Sequence, residues 1–531
     1  MFCNQCGTKL PDNVMFCPEC GAKQETYDAA PEAAAQNEAF NVPVSVPPVP
    51  EKKKRKLYKI FIPAGVLLTA AILICVFLIV GNRKENPFTY VSKDTLVYWQ
   101  NHFSNLSGES LELTEEIYSY YYSGDGSTVV YWTEDYSLYY INGDMESILV
   151  AEDVNNVRMA LSGDYFAYTV AEEEFNFYEG ILYVYDVKGD KSTKISEDIY
   201  PSDICISPDG KTVAYMKDYE GLDDNTLYLC TLGREEKKID KDGCFPVAIS
   251  EGGKYFYYAN YNDKLYCFDG KDTEKIAADV SGYYWFNSSM TEMLYIKNGK
   301  TYYYNPKMEE AVRVCNSEID SVAVPDEEMA VVPDCCSSRA NLVGKISLKD
   351  SVLENNGTLY WLNKNGTDTV KIGSNIYEYQ ISEDGKSLLY MKGSKLYKIN
   401  KFNEEMEAKL LYDEMLEGFA ASADLSKIYI ITVESELCYL KNNQKTERIS
   451  IDFSIYNDYA AYNEACGKIF YTEDNDLYCA GTTAKSKEKV AEDVSGILKV
   501  FDGIIYVVDD DNKEIYYYME KEPVEVISMQ W

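Results

Sequence analysis

Hydrophobic positions follow two patterns along the chain. Beyond about residue 113 they come as short runs, each opened by a turn and closed by tyrosine, the alternation expected of strands. Upstream stands one long run, Leu57 to Val80, LYKIFIPAGVLLTAAILICVFLIV, with no charge from Ile60 onward. At 1.5 Å per residue, Ile60–Val80 would form a helix about 31 Å long, the thickness of a bilayer's hydrocarbon core. The run begins too far into the chain, and is too long, for the core of a signal peptide. It therefore predicts a single transmembrane helix over 57–80.

The strand region is a repeat. Its first mark is a turn followed by an apolar strand, as in SGDGSTVVY (123–131), SPDGKTVAY (207–215), SEGGKYFYY (250–258) and SEDGKSLLY (382–390). Weaker copies are SGDYFAY (162–168), SSMTEMLY (288–295), SADLSKIY (422–429) and ACGKIFY (465–471). The second mark, some ten residues on, is Leu-Tyr at Leu138-Tyr139, Leu182-Tyr183, Leu227-Tyr228, Leu265-Tyr266, Leu359-Tyr360, Leu396-Tyr397 and Leu477-Tyr478, with Thr301-Tyr302, Leu437-Cys438 and Ile515-Tyr516 in equivalent places. These define ten units, nearly all close to 40 residues, the length of a four-stranded propeller blade. Asp-Gly accepts the positive φ of a tight hairpin. A β-helix needs a shorter repeat and a helical solenoid a 3.6-residue period, and the sequence shows neither. Ten units imply either two rings or one large one. The unit at 302–358 is the longest and carries VPDCCSSRANLVGKISLKD, read as an inserted loop. The copy at 207–215 resembles the WD40-like repeat of TolB-type and dipeptidyl-peptidase-type propellers, which implies blade architecture.

Residues 1–22, MFCNQCGTKLPDNVMFCPECGA, hold two Cys-x-x-Cys-Gly knuckles, Cys3/Cys6 and Cys17/Cys20. Four soft thiolates suit tetrahedral zinc. A peptide this short buries too little to fold without the metal. Two disulfides or an iron–sulfur site are the competing readings, and disulfides need an oxidising compartment. The segment resembles the zinc ribbon at the N-terminus of many bacterial membrane-anchored proteins. The assignment is one structural Zn2+ on Cys3, Cys6, Cys17 and Cys20. Residues 23–56 read as a disordered Pro/Ala/Glu-rich linker ending in a basic run.

Charge orients this plan. Lys52–Lys56 and Lys59 precede the apolar run, and only Arg83 and Lys84 follow it closely. Such asymmetry keeps the N-terminus in the cytoplasm and sends residues 88–531 outside. The balance is +2 over residues 1–86 and -38 over 87–531. An outer region that acidic repels nucleic acid. The chain's single histidine, His102, reads as a surface residue, and one histidine leaves Ser-His-Asp and multi-His metal chemistry without parts. No Gly-x-Ser-x-Gly elbow, Walker A or Gly-x-Gly-x-x-Gly motif is present. Acidic clusters such as Asp474–Asp476 read as solvated turns, and Cys335-Cys336 as an inert loop pair.

The expected protein is mostly β: a cytosolic zinc ribbon (1–22), one transmembrane helix (57–80) and an extracytoplasmic propeller (88–531) of about ten four-stranded units in one or two rings. It is expected to be a single-pass cell-membrane protein with no enzymatic activity. Its propeller would bind a protein, peptide or cell-wall ligand on its top face or in its channel, while the ribbon meets a cytosolic partner. The alternative is a propeller enzyme, a carboxylate-dependent glycosidase or lyase, marked by two carboxylates beside aromatics in one cavity.

Overall fold

The computed structural model describes residues 95–531 apart from 100, 172–178, 222–223, 242, 324–334, 337–339, 346, 443, 452, 454–459, 501–502, 509–513, 520 and 529–531. Cys3, Cys6, Cys17 and Cys20, the linker and the Leu57–Val80 run lie outside the described residues. The chain divides into two units, Met1–Gly81 and Asn82–Trp531, and the described residues belong to the second.

Those residues form 43 strands and no α-helix, with helical turns limited to Glu251–Gly253 and Ala484–Ser486. This corrects the expected fold class. No helix among the described residues is long and apolar enough to cross a membrane, because their apolar runs are cut by turns after a few residues. The described residues are mostly β, and no transmembrane helix is among them.

Ten four-stranded antiparallel blades follow one another, here called blades one to ten, with strands A to D in chain order. Blade one comprises Ile117–Tyr122, Val129–Thr133, Leu138–Ile141 and Ser147–Ala151. Blades two and three share the long strand Lys191–Ile206, which is strand D of one and strand A of the next, giving a seven-stranded sheet. Each Leu-Tyr mark of the sequence, with its three variants, falls on a C strand. Ahead of blade one lies a three-stranded sheet the repeat did not announce: Leu96–Trp99, His102–Asn105 and Ser110–Glu112. Its Leu96, Phe103 and Leu113 pack on Tyr122, Val129 and Tyr131 of blade one. Its Leu106 packs on Ile505, Ile515, Tyr517 and Val526 of blade ten. Consecutive blades share apolar interfaces all the way between. The sheets therefore form one closed circuit, and the short sheet completes it.

The A–B turns show why Ser-x-Asp-Gly recurs. In blade one Ser123 Oγ donates to Asp125 Oδ1 (2.7 Å) and accepts from Thr128 N (3.0 Å). Ser207/Asp209/Thr212, Ser382/Asp384/Ser387 and Ser422/Asp424/Lys427 repeat that pair of bonds. The loop's backbone donors and acceptors are thus met locally, as turn side chains generally allow. The Gly is needed for more than its φ. Gly210 has φ +73, and a Cβ there would stand 2.3 Å from Tyr165 Cβ on blade two.

At the opposite end several blades are tied to the one before. The first residue of strand A donates to the B–C turn of the preceding blade: Val154 N to Tyr136 O (3.0 Å), Val280 N to Asp263 O (3.1 Å), Ile376 N to Gly357 O and Leu416 N to Ser394 O (both 2.9 Å). Strand A then bulges by one residue in several blades, at Tyr118, Tyr377 and Glu417 among others. Bulges re-aim a side chain, and Tyr118 and Tyr377 are 65% and 86% exposed.

Tyrosine content has a structural cause. In nine blades the B and C strands place two Tyr directly opposite each other, from Tyr131–Tyr139 in blade one to Tyr506–Tyr516 in blade ten. Blade six has Leu353 against Tyr360 instead. Most of these rings stack, for example Tyr258 on Tyr266 at 5.0 Å and 14°. Directly opposed aromatic pairs are a standard source of sheet stability.

The long unit is not a surface loop. Its Ala340–Leu342 pairs in parallel with Tyr284–Phe286 of blade five's A strand. Cys335 O accepts from Ile206 N (3.0 Å), at the end of blade three's A strand. A strands of successive blades neighbour one another, so this insertion occupies the inner edge of the circuit. Cys335 and Cys336 are buried there, with their sulfurs 4.0 Å apart and no disulfide.

Candidate functional site

The short N-terminal sheet and blade one flank an open pocket of about 280 Å3. It is lined by Leu111, Glu112, Leu113, Thr114 and Glu115 from the segment leading into blade one, and by Tyr131, Thr133, Tyr139 and Ser147 from that blade's B, C and D strands. Strand alternation explains the second group. Tyr131 and Thr133 are two apart on strand B, Tyr139 is directly opposite Tyr131, and Ser147 opens strand D.

The Tyr131 and Tyr139 rings stack at 5.2 Å and 13°. Tyr131 Oη and Ser147 Oγ are 2.6 Å apart, in hydrogen-bond contact, and Thr133 Oγ1 donates to Asp135 Oδ1. Burial pushes the Tyr131 phenol up, the Ser147 hydrogen bond opposes that, and the nearby Tyr139 and Glu115 add to it. Tyr139 is raised by burial first, then by Glu115 and Asp135. The pocket thus has an aromatic floor, several hydroxyls, an apolar edge from Leu111 and Leu113, and a negative potential.

Several residues singled out in the sequence lie elsewhere. Cys3, Cys6, Cys17 and Cys20 lie outside the described residues. His102 is half-buried in the short sheet, directly across from the lining residue Glu112. Among the described residues, no group of three or more His, Cys, Asp or Glu side chains is placed to hold a metal. Asp474 and Asn475, at φ +53 and +65, form the B–C turn of blade nine, and Asp476 pairs with Lys489 at 2.8 Å. That cluster does the work of a hairpin. The pocket itself escaped the sequence because its walls come from two sheets, and only the second belongs to the repeat.

A second unusual group is Glu378 at the strand-A bulge of blade seven. Gly occupies the matching position in blades eight and ten, at Gly418 and Gly496. Glu378 reaches the neighbouring A strand, where Phe419 N donates to its Oε1 at 3.1 Å. Burial pushes its carboxyl up to about 7, against the Phe419 hydrogen bond. Because the folded-state value lies above the ordinary one, the folded chain keeps a proton that the unfolded chain loses between about pH 4.5 and 7. Stability falls as pH rises through that window and the loss is complete above it. Glu378→Gln is expected to remove this slope. Its stability advantage over wild type should grow from pH 5 to pH 8, up to about 3 kcal/mol. Urea unfolding at the two pH values checks it, and an advantage that does not change with pH refutes it.

Residues 2–24 match the family model of a zinc-ribbon domain, and the described unit is β-propeller-like by its own blades. No curated protein matches the chain. Among solved structures, the tricorn protease is similar at 12% identity over 76% of this chain and 57% of that one, with a TM-score of 0.26. A prolyl endopeptidase is similar at 11% over 86% and 59%, TM-score 0.31. A eukaryotic initiation factor is similar at 11% over 82% and 96%, TM-score 0.39. The chain thus spans 57% and 59% of the lengths of the two peptidases. The expectation of a chain without enzymatic activity does not stand, because propeller blades by themselves do not mark a non-enzyme; two of these three neighbours are enzymes. Likeness at these scores carries no argument about a reaction in this chain.

Proposed function

We propose that the chain is a two-module binding protein. Its propeller takes a peptide or cell-envelope ligand at the blade-one pocket. Its N-terminal ribbon, with one structural zinc on Cys3, Cys6, Cys17 and Cys20, binds a cytosolic partner. The asymmetry of Lys and Arg around Leu57–Val80 supports an extracytoplasmic propeller. The observation that carries the reading is the pocket, a concave site with a stacked aromatic floor and convergent polar groups. The inner edge is less available, since the insertion through Cys335 and Leu342 fills part of it.

The test is a ligand-observed NMR screen of the full chain against short peptides and cell-wall fragments, repeated with Ser147→Trp, which fills the pocket. Ligands whose signals are lost in the variant support the reading. Ligands that bind both proteins equally, or no ligand at all, refute it.

One observation favours a second reading. Glu112 and Glu115 both line this pocket beside Tyr131 and Tyr139, and a pair of carboxylates is the first requirement of a carboxylate-dependent glycosidase. Turnover of a cell-wall glycan that is abolished by Glu115→Gln, with binding retained, would select it over simple binding.

A further inference from the structure

Two other blades reveal what a stacked Tyr pair of this kind accepts. In blade three Tyr215 and Tyr228 stack at 6.0 Å and 12°. Lys217 Nζ lies 5.3 Å from the Tyr228 ring centre and donates to Glu236 Oε1 at 3.1 Å. In blade nine Tyr471 and Tyr478 stack at 5.9 Å and 25°. There Lys487 Nζ lies 4.0 Å from the Tyr478 ring centre and donates to Glu473 at 2.8 and 2.9 Å.

The strand registers show that these are the same two places. Lys217 and Glu473 each stand two residues after the B-strand Tyr. Glu236 and Lys487 each stand just before the strand-D residue opposite the position following the C-strand Tyr. The charges are exchanged between the blades, yet both leave an ammonium on the second Tyr with a carboxylate beside it. The arrangement is therefore a property of the site's shape and not of which strand supplies the cation.

In blade one the corresponding residues are Thr133 and Ser147. Two charged side chains are replaced by two short hydroxyls, and the space left over the Tyr pair is the pocket. Carboxylates are still supplied, by Glu112 and Glu115 from outside the blade, while no Lys or Arg is among the lining residues. The cation is the missing member.

We propose that this pocket binds a primary ammonium group brought by the ligand, either a lysine side chain of a peptide or a free alkyl amine. The ammonium would rest on the face of the Tyr pair, beside Glu115, as Lys217 and Lys487 do in their own blades. The alkyl stem would lie along Leu111 and Leu113. The proposal rests on the pocket being the propeller's binding site and names the chemistry it selects.

The test is calorimetric titration of the full chain with three probes: 1,5-diaminopentane, Nα-acetyl-lysine methylamide and Nα-acetyl-norleucine methylamide. At least one amine should bind, and at least about tenfold more tightly than the norleucine compound. Binding of the lysine compound alone points to a peptide, and binding of the diamine alone to a free amine. Glu115→Gln should weaken binding by about tenfold or more. Thr133→Lys, which supplies an internal ammonium, should abolish it while the melting temperature is kept or raised; should that variant not fold, Glu115→Gln decides alone. No binding of either amine at millimolar concentration, equal binding of the norleucine compound, or binding indifferent to Glu115→Gln overturns the proposal. If the amines fail while uncharged ligands sensitive to Ser147→Trp are found, the pocket reading survives and the ammonium does not.

Discussion

Tyr215→Ala is expected to cost the propeller about 3–5 kcal/mol, the range for truncating a large buried aromatic. The side chain is fully buried and stacks on Tyr228, and its hydroxyl donates to Glu236. Truncation opens a cavity between blades and removes one of the hydrogen bonds that hold the Glu236 carboxyl below its usual range despite burial. Urea unfolding measures the cost, and a change under about 1 kcal/mol would show that the Tyr pairs decorate the blades without holding them.

Tyr→Phe substitutions divide that cost into ring and hydroxyl. Tyr215→Phe keeps the ring and should lose about 1–2 kcal/mol through the hydrogen bond to Glu236, which retains Ser196 and Lys217 as partners. At Tyr429 and Tyr471 the buried hydroxyls find no hydrogen-bond partner among the described residues. Phenylalanine there should be neutral or stabilising, because a buried hydroxyl without a partner carries its desolvation penalty uncompensated. The opposite signs at equivalent places in the repeat separate packing from hydrogen bonding more sharply than any single variant.

The repeat was legible because its two marks are local. Ser207, Asp209 and Gly210 meet their hydrogen bonds and φ requirements within six residues, so the turn leaves a trace whatever surrounds it. The Leu-Tyr mark recurs because Tyr on strand C must face Tyr on strand B in nearly every blade. Closure into one circuit left no such trace. It depends on Leu106 meeting Val526 across almost the whole described unit, and the sheet that carries Leu106 lacks the blade motif. The 302–358 insertion misled for a related reason: a stretch without the repeat's marks reads as a loop, yet Ala340–Leu342 finds its partner on a strand more than fifty residues earlier. The pocket combines both difficulties, with one wall from the unrepeated sheet and the other from a repeat position where Thr133 and Ser147 are inconspicuous. What marks them is contrast with Lys217/Glu236 and Glu473/Lys487, which requires the strand registers.

The other large effect concerns the ribbon. Cys17→Ser is expected to lower zinc affinity by more than about 100-fold, since a direct ligand matters more than the surrounding groups whose loss costs 10- to 100-fold. The donor set supports a single structural ion: two Cys-x-x-Cys-Gly knuckles, Cys3/Cys6 and Cys17/Cys20, inside the segment that matches a zinc-ribbon domain. A hydroxyl in place of the thiolate would leave three soft donors, short of the four that suit structural zinc. If so short a segment folds on its metal, as small metal-dependent domains do, lost affinity would also be lost structure. Metal analysis of the full chain should find one zinc in the wild type and far less than one in Cys17→Ser after dialysis against a chelator, with the Tyr215→Ala protein retaining its zinc. Equal zinc in wild type and Cys17→Ser would remove Cys17 from the ligand set, and with it the four-thiolate ribbon.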